Sequence, residues 1–84
     1  MAIRSAVEIS MYPLTPDYRP PIQAFIDRLN TYPELTVRTN ALSTQIFGPL
    51  ERVLAILATE IERSASSSAQ SVFVMKVLPG VRPA

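Results

Sequence analysis

The sequence predicts an α+β domain with six elements in the order strand, helix, strand, strand, helix, strand. Two observations carry this prediction: four segments alternate apolar and polar residues, and two segments place apolar residues three and four positions apart. The chain has 84 residues, of which 48% are apolar and 18% charged, so it can form one small core. We expect a single domain over residues 1–84, with its core over residues 5–79 and a short tail at 80–84.

The first strand and the first helix are separated by a proline-rich loop. Alternation over residues 3–12 predicts a half-buried strand. Pro20 and Pro21 suit the first turn of a helix, where a backbone N–H lacks a partner in any case, and Asp17 is a candidate cap. The apolar stripe of this helix consists of Ile22, Phe25, Ile26 and Leu29.

The second and third strands form a predicted hairpin. Residues 35–38 and 42–47 both alternate, and Asn40-Ala41 between them suits a tight turn because asparagine tolerates positive φ. The residues expected to face the helices from the first three strands are Val7, Ile9, Met11, Leu35, Val37, Leu42, Thr44 and Ile46.

Gly48 and Pro49 end the third strand and open a second helix, with Glu60 on its solvent side. Its apolar stripe is Leu50, Val53, Leu54, Leu57 and Ile61. Residues 64–71 are a predicted polar connector. Residues 72–78 are a fourth strand, apolar on both sides except at Lys76, which is typical of a central strand or one covered by another subunit. Two split βαβ units with right-handed crossovers give a ferredoxin-like sandwich: an antiparallel sheet in the order 4-1-3-2 with both helices on one face.

Composition excludes several classes of function. Without cysteine or histidine, the chain has no disulfide, no thiolate or imidazole metal site and no Ser-His triad, so we expect no metal and no cofactor. A net charge of +1 gives no excess of positive charge with which to bind nucleic acid or an anionic membrane. No apolar run approaches the roughly twenty residues of a membrane span, and no signal peptide is evident, so we expect a cytoplasmic protein. A binding module is favoured over an enzyme.

The open face of the predicted sheet carries most of the polar candidates. They are Glu8, Ser10, Tyr12, Arg38, Asn40, Ser43, Gln45 and Phe47. An ordinary cross-strand ion pair between Glu8 and Lys76 is an equally good explanation for those two charges. An RNA-recognition domain needs a basic and aromatic third strand, which this sequence does not have. An acylphosphatase needs a glycine-rich loop after the first strand, and the loop here contains no glycine. A regulatory amino-acid-binding (ACT-like) module remains open.

Three segments carry a further signal: ISMYPL (9–14), NALSTQIFG (40–48) and VFVMKV (72–77). Together they resemble the YkoF-like family of thiamin- and hydroxymethylpyrimidine-binding proteins. The resemblance extends over residues 6–79 and implies a ferredoxin-like fold with reversible ligand binding and no chemistry. By motif position it implies as ligand-binding residues Ser10, Tyr12, Asn40, Ser43, Thr44 and Gln45. The best-known form of the family holds two such domains in tandem, so here a homodimer or homotetramer would supply the second half.

The chemistry of thiamin is compatible with these residues. Thiamin has an aminopyrimidine ring and a cationic thiazolium ring. The aminopyrimidine needs amides or hydroxyls to bond along its edge and an aromatic ring, such as Tyr12 or Phe47, to stack on. The thiazolium needs a carboxylate, for which Glu8 and Asp17 are candidates. Thr44 is turned toward the helices by the alternation, so either its hydroxyl bonds to backbone or the ligand enters between sheet and helices. The alternative to ligand binding is an interaction or regulatory module whose open sheet face is a subunit interface.

Overall fold

A computed structural model describes residues 3–67 and 70–80. The elements are β1 (Arg4–Pro13), α1 (Arg19–Leu29), β2 (Thr36–Thr39), β3 (Thr44–Pro49), α2 (Leu50–Ser67) and β4 (Ser71–Pro79). The strands form one antiparallel sheet in the order β2-β3-β1-β4, which is 4-1-3-2 counted from the opposite edge. This α+β arrangement is consistent with a ferredoxin-like fold.

The core lies between one face of the sheet and both helices. Its buried apolar residues are Val7, Ile9, Phe25, Leu29, Ile46, Val53, Ile56 and Leu57. The rings of Phe25 and Phe73 meet at a centroid distance of 5.3 Å, which joins α1 to β4. The alternation therefore assigned the inward side of β1 correctly, and Thr44 on β3 also lies inward and buried.

Helix α1 begins without the cap that the sequence suggested. Its N-cap residue is Tyr18, with no side-chain cap hydrogen bond, so the prediction for Asp17 is wrong. The two prolines do occupy the first turn. Because they supply no N–H there, fewer donors remain for a cap to satisfy.

Helix α2 differs from the prediction in its buried face and in its end. Ile56 is buried where Leu54 was expected, and Glu60, expected in solvent, is only 1% exposed. The helix continues to Ser67, so the predicted connector is wrong for residues 64–67, while residues 68 and 69 lie outside the described part. Ser64 extends the buried face because it lies four residues beyond Glu60, on the same side of the helix.

The β2–β3 turn uses an asparagine side chain in place of a positive φ. Asn40 Oδ1 accepts hydrogen bonds from the backbone N–H groups of Leu42 (2.8 Å) and Ser43 (3.0 Å). Among the described residues only Gly80 has positive φ, so the proposed reason for Asn40 is wrong. This asparagine turn extends to Ser43 and leaves Leu42 88% exposed, which contradicts its expected place against the helices.

Strand β4 is an edge strand, because it pairs only with β1. Of the two explanations for a strand that is apolar on both sides, the central position is therefore wrong, and cover by another subunit stays a prediction. On its inner face Met75 and Val77 remain 42% and 43% exposed, since α2 packs mainly against β3 and β1 and covers this edge less. The predicted tail lies outside the described residues apart from Gly80, and no helix in the described part is long and apolar enough to cross a membrane.

Candidate functional site

A difference in strand length opens a gap in the sheet. Pairing between β1 and β3 ends at Ile9 and Thr44, while β1 continues to Pro13 with β4 as its only partner. The backbone of residues 10–13 therefore has a free edge on the β3 side. A cavity of about 470 Å³ lies in this gap, between the free edge, the turn at 40–43 and α1. That volume is in the range of small-molecule sites.

The cavity has an apolar floor and a polar rim. The floor is formed by inward residues of β1 and by the stripe of α1: Ile9, Met11, Ile22, Phe25 and Ile26. The rim carries hydroxyl and amide groups: Ser10, Tyr12, Tyr18, Thr39, Asn40, Ser43 and Thr44. No charged side chain lines the cavity within the described residues. Such a site can bury the faces of a flat ring and form hydrogen bonds along its edge.

Thr44 connects the hairpin to the cavity. Its hydroxyl lies 3.2 Å from that of Thr39, and the side chain is almost fully buried. The sequence left two explanations for an inward threonine: a bond to backbone or a ligand between sheet and helices. The hydroxyl partner is another side chain, and the cavity that Thr44 lines extends between the sheet and α1.

The two serines of the rim already have partners for their protons. Ser43 Oγ donates to the Oε2 of Glu8 at 3.1 Å, and Ser10 Oγ donates to the backbone carbonyl of Leu42 at 3.4 Å. Because a carbonyl and an ionised carboxylate only accept, both hydroxyls must be donors in these bonds. Each serine oxygen then offers lone pairs, and not a proton, to a further partner.

Four predicted ligand-binding residues lie outside the cavity. Glu8 and Gln45 are adjacent on the open sheet face, and Glu8 Oε1 lies 3.9 Å from Lys76 Nζ. Phe47 is also on this face, with the Arg38 guanidinium 5.5 Å from its ring centroid. Asp17 is exposed in the loop before α1. The cavity brings together the other five: Ser10, Tyr12, Asn40, Ser43 and Thr44.

Sequence reasoning missed the contribution of α1 and β2 to this cavity. Ile22, Ile26 and Phe25 were assigned to the core only, and Tyr18 and Thr39 were not singled out. The missing signal was the length of β3. Only a third strand that starts at Thr44 rather than at residue 42 leaves the end of β1 open to the helix.

A second polar cluster joins the two helices away from the cavity. The buried carboxylate of Glu60 accepts a hydrogen bond from Arg28 Nε (2.6 Å) and one from Tyr32 Oη (2.6 Å), and Arg28 also donates to Ser64 Oγ (2.7 Å). Burial would raise the pKa of Glu60, but the hydrogen bonds from Tyr32 and Arg28, with the charges of Arg63 and Arg28, bring it below its usual value. The same hydrogen bond to Glu60, with burial, raises the pKa of Tyr32.

Comparison with known proteins shows the fold. No family model and no curated protein sequence matches the chain. A hypothetical protein of Methanocaldococcus jannascii superposes with a TM-score of 0.78 at 22% identity, over 89% of this chain and 78% of that one. A Thermotoga maritima protein proposed to act in thiamine biosynthesis or salvage gives 0.79 at 14% identity, over 88% and 81%. A DUF77 domain of unknown function from Bacillus cereus gives 0.69 at 13% identity, over 93% and 77%.

Proposed function

We propose that this chain reversibly binds a small planar ring ligand, thiamin or its hydroxymethylpyrimidine part, in the cavity between β1, α1 and the β2–β3 turn. The observation that carries the proposal is the cavity itself, with an apolar floor and a rim of hydroxyl and amide groups. Such a protein would act as a carrier, buffer or sensor in thiamin transport or metabolism.

Two further points support the choice of ligand. The resemblance to thiamin-binding proteins pointed to six residues, and five of them line this one cavity: Ser10, Tyr12, Asn40, Ser43 and Thr44. The sixth, Gln45, lies on the open sheet face. The Thermotoga maritima protein proposed to act in thiamine biosynthesis or salvage has a similar fold. Neither point rests on the other, since the first concerns residues and the second concerns the backbone.

The proposal is for binding without catalysis. The cavity lining contains hydroxyls, one amide and apolar groups, none of which is a general acid or base near neutral pH without an activating partner. Glu8 and Lys76, the charged pair that could serve as acid and base, lie on the open sheet face and do not line the cavity.

Calorimetric titration with hydroxymethylpyrimidine and with thiamin tests the proposal. We expect saturable binding of at least one compound, and its loss in Ile22→Trp, which fills the apolar floor. Glu34→Gln is the matched control, because Glu34 pairs with Arg52 and does not line the cavity. Absence of heat with both compounds at millimolar concentration, on a folded wild-type protein, would exclude this function.

A second candidate function is a homo-oligomeric module, and the surface of β4 favours it. The exposed apolar residues of this edge strand are Val72, Val74, Met75, Val77 and Leu78. Apolar side chains on both faces of a long free edge are suited to pairing with a second copy of the chain, as in a homodimer or homotetramer. Light scattering of Val74→Lys tests this interface: a shift of an oligomer toward monomer would support it, and an unchanged mass would exclude the β4 edge as the contact between copies.

A further inference from the structure

We propose that Glu8, from outside the cavity, sets which edge of a pyrimidine the site accepts, by fixing the proton of Ser43. This inference rests on the proposed function and assigns Glu8 a positioning role in place of the ligand contact expected from the sequence. The bond from Ser43 Oγ to Glu8 Oε2, at 3.1 Å, connects a residue of the cavity lining to a carboxylate on the open face of the sheet.

The direction of this hydrogen bond determines what the cavity offers. An ionised carboxylate has no proton to give, so Ser43 donates and its oxygen is left as an acceptor toward the ligand. Ser10 is in the same condition, because its hydroxyl donates to the carbonyl of Leu42. This part of the rim therefore presents two acceptors whose protons are already engaged.

Asn40 supplies the opposite polarity beside them. Its Oδ1 accepts from the backbone N–H groups of Leu42 and Ser43, which fixes the amide orientation. Its Nδ2 is then the donor end, and Asn40 also lines the cavity. The rim thus pairs acceptors at Ser10 and Ser43 with a donor at Asn40.

This pattern complements a ring that carries an amino group next to an unprotonated ring nitrogen. In a 4-aminopyrimidine the amino group would donate to the serine oxygens, and the neighbouring nitrogen would accept from Asn40. In the 4-oxo analogue both positions are reversed: a carbonyl oxygen would meet lone pairs, and a ring N–H would meet an N–H donor. Polar groups left without partners on binding lower affinity more than a lost contact alone.

The test compares dissociation constants for 4-amino-5-hydroxymethyl-2-methylpyrimidine and its 4-oxo analogue. We expect the wild type to prefer the amino compound by at least about tenfold. Glu8→Gln should reduce that ratio toward one, because a glutamine amide can donate to Ser43 and release the serine proton toward the ligand. Ser43→Ala should also reduce the ratio. Lys76→Met is the control, since it removes the nearby charge while keeping the Glu8–Ser43 bond, and should preserve the preference.

The outcomes separate this inference from the function on which it rests. Equal affinity of the wild type for both compounds would overturn the inference and leave pyrimidine binding intact. Equal weakening of both compounds in Glu8→Gln would show a purely structural role for Glu8 and would also overturn it. Failure of the wild type to bind either compound, or thiamin, would remove the proposed function and the inference together.

Discussion

Replacing Arg28 with methionine removes the main partner of a buried charge. Arg28 holds Glu60 through Nε at 2.6 Å and bridges to Ser64 at 2.7 Å, while Glu60 is 1% exposed. After the replacement Glu60 keeps the Tyr32 hydroxyl, and its nearest cation is Arg63, with Nη1 at 3.8 Å from Oε2. A buried carboxylate with one hydrogen bond and a distant, well-solvated cation is poorly compensated.

The expected cost follows from the burial of the two partners. Breaking a fully buried ion pair from one side costs about 3–5 kcal/mol. Arg28 is itself 25% exposed and Tyr32 remains in place, so we expect about 2–3 kcal/mol here. A domain of this length has a free energy of unfolding of roughly 4–13 kcal/mol, so the variant loses a large part of its stability.

Urea unfolding followed by circular dichroism at pH 7 measures this cost. The double variant Arg28→Met with Glu60→Leu should recover most of the loss, because no unpaired charge remains in the interior. Arg52→Met is the control: its pair with Glu34 is exposed and should contribute less than about 1 kcal/mol. If Arg28→Met costs no more than Arg52→Met, the reasoning about the buried carboxylate is refuted.

The same cluster predicts a pH dependence with a definite sign. The folded pKa of Glu60 lies below its unfolded value of about 4.5. Its contribution to the free energy of unfolding is therefore present above that pH and is lost as the pH falls through the folded pKa. The pKa of Tyr32 is raised above 10.0, so its contribution is present below that pH and is lost as the pH rises through the folded value. Glu60→Gln should flatten the acid limb of a plot of unfolding free energy against pH.

Other substitutions test the hairpin, the β3–α2 junction and the cavity. Thr44→Val should cost about 1 kcal/mol in urea unfolding through the lost bond to Thr39, and should weaken pyrimidine binding; unchanged titrations would remove Thr44 from the site. Gly48→Ala should be destabilising, because a Cβ would lie 3.1 Å from Val53 Cγ2 and 3.3 Å from a backbone oxygen; a thermal midpoint equal to wild type would contradict this. Ser5→Ala should cost about 1–2 kcal/mol through loss of the buried bond from Ser5 Oγ to the Gly48 carbonyl, measured in urea.

The order of the elements was predictable from the sequence because each has a strong local period. Alternation placed Val7 and Ile9 inward, and helical spacing placed Phe25 and Leu29 in the core. These positions depend only on the repeat of one element, so tertiary contacts were not needed to assign them.

Features that depend on contacts between elements were not predictable in this way. Glu60 was assigned to solvent because it is charged, yet it is buried where Arg28 and Tyr32 reach it from another part of the chain. Likewise, Leu42 continued the alternation of β3, but the Asn40 side chain bonds to backbone and keeps this residue in the turn. A periodic pattern does not record such partners.

The cavity also depends on contacts between elements, which a periodic sequence pattern does not record. If β3 had continued through residue 42, it would have paired with the end of β1 and closed the gap that the cavity occupies. The asparagine turn thus shortens β3 and also brings Ser43 and Asn40 to the rim.

Helix α1 is tied to α2 near its C-terminal end by Arg28. Its N-terminal end, next to the cavity, lacks a side-chain cap at Tyr18. In the proposed function a ligand would therefore contact the uncapped half of the helix, opposite the end that Arg28 joins to α2.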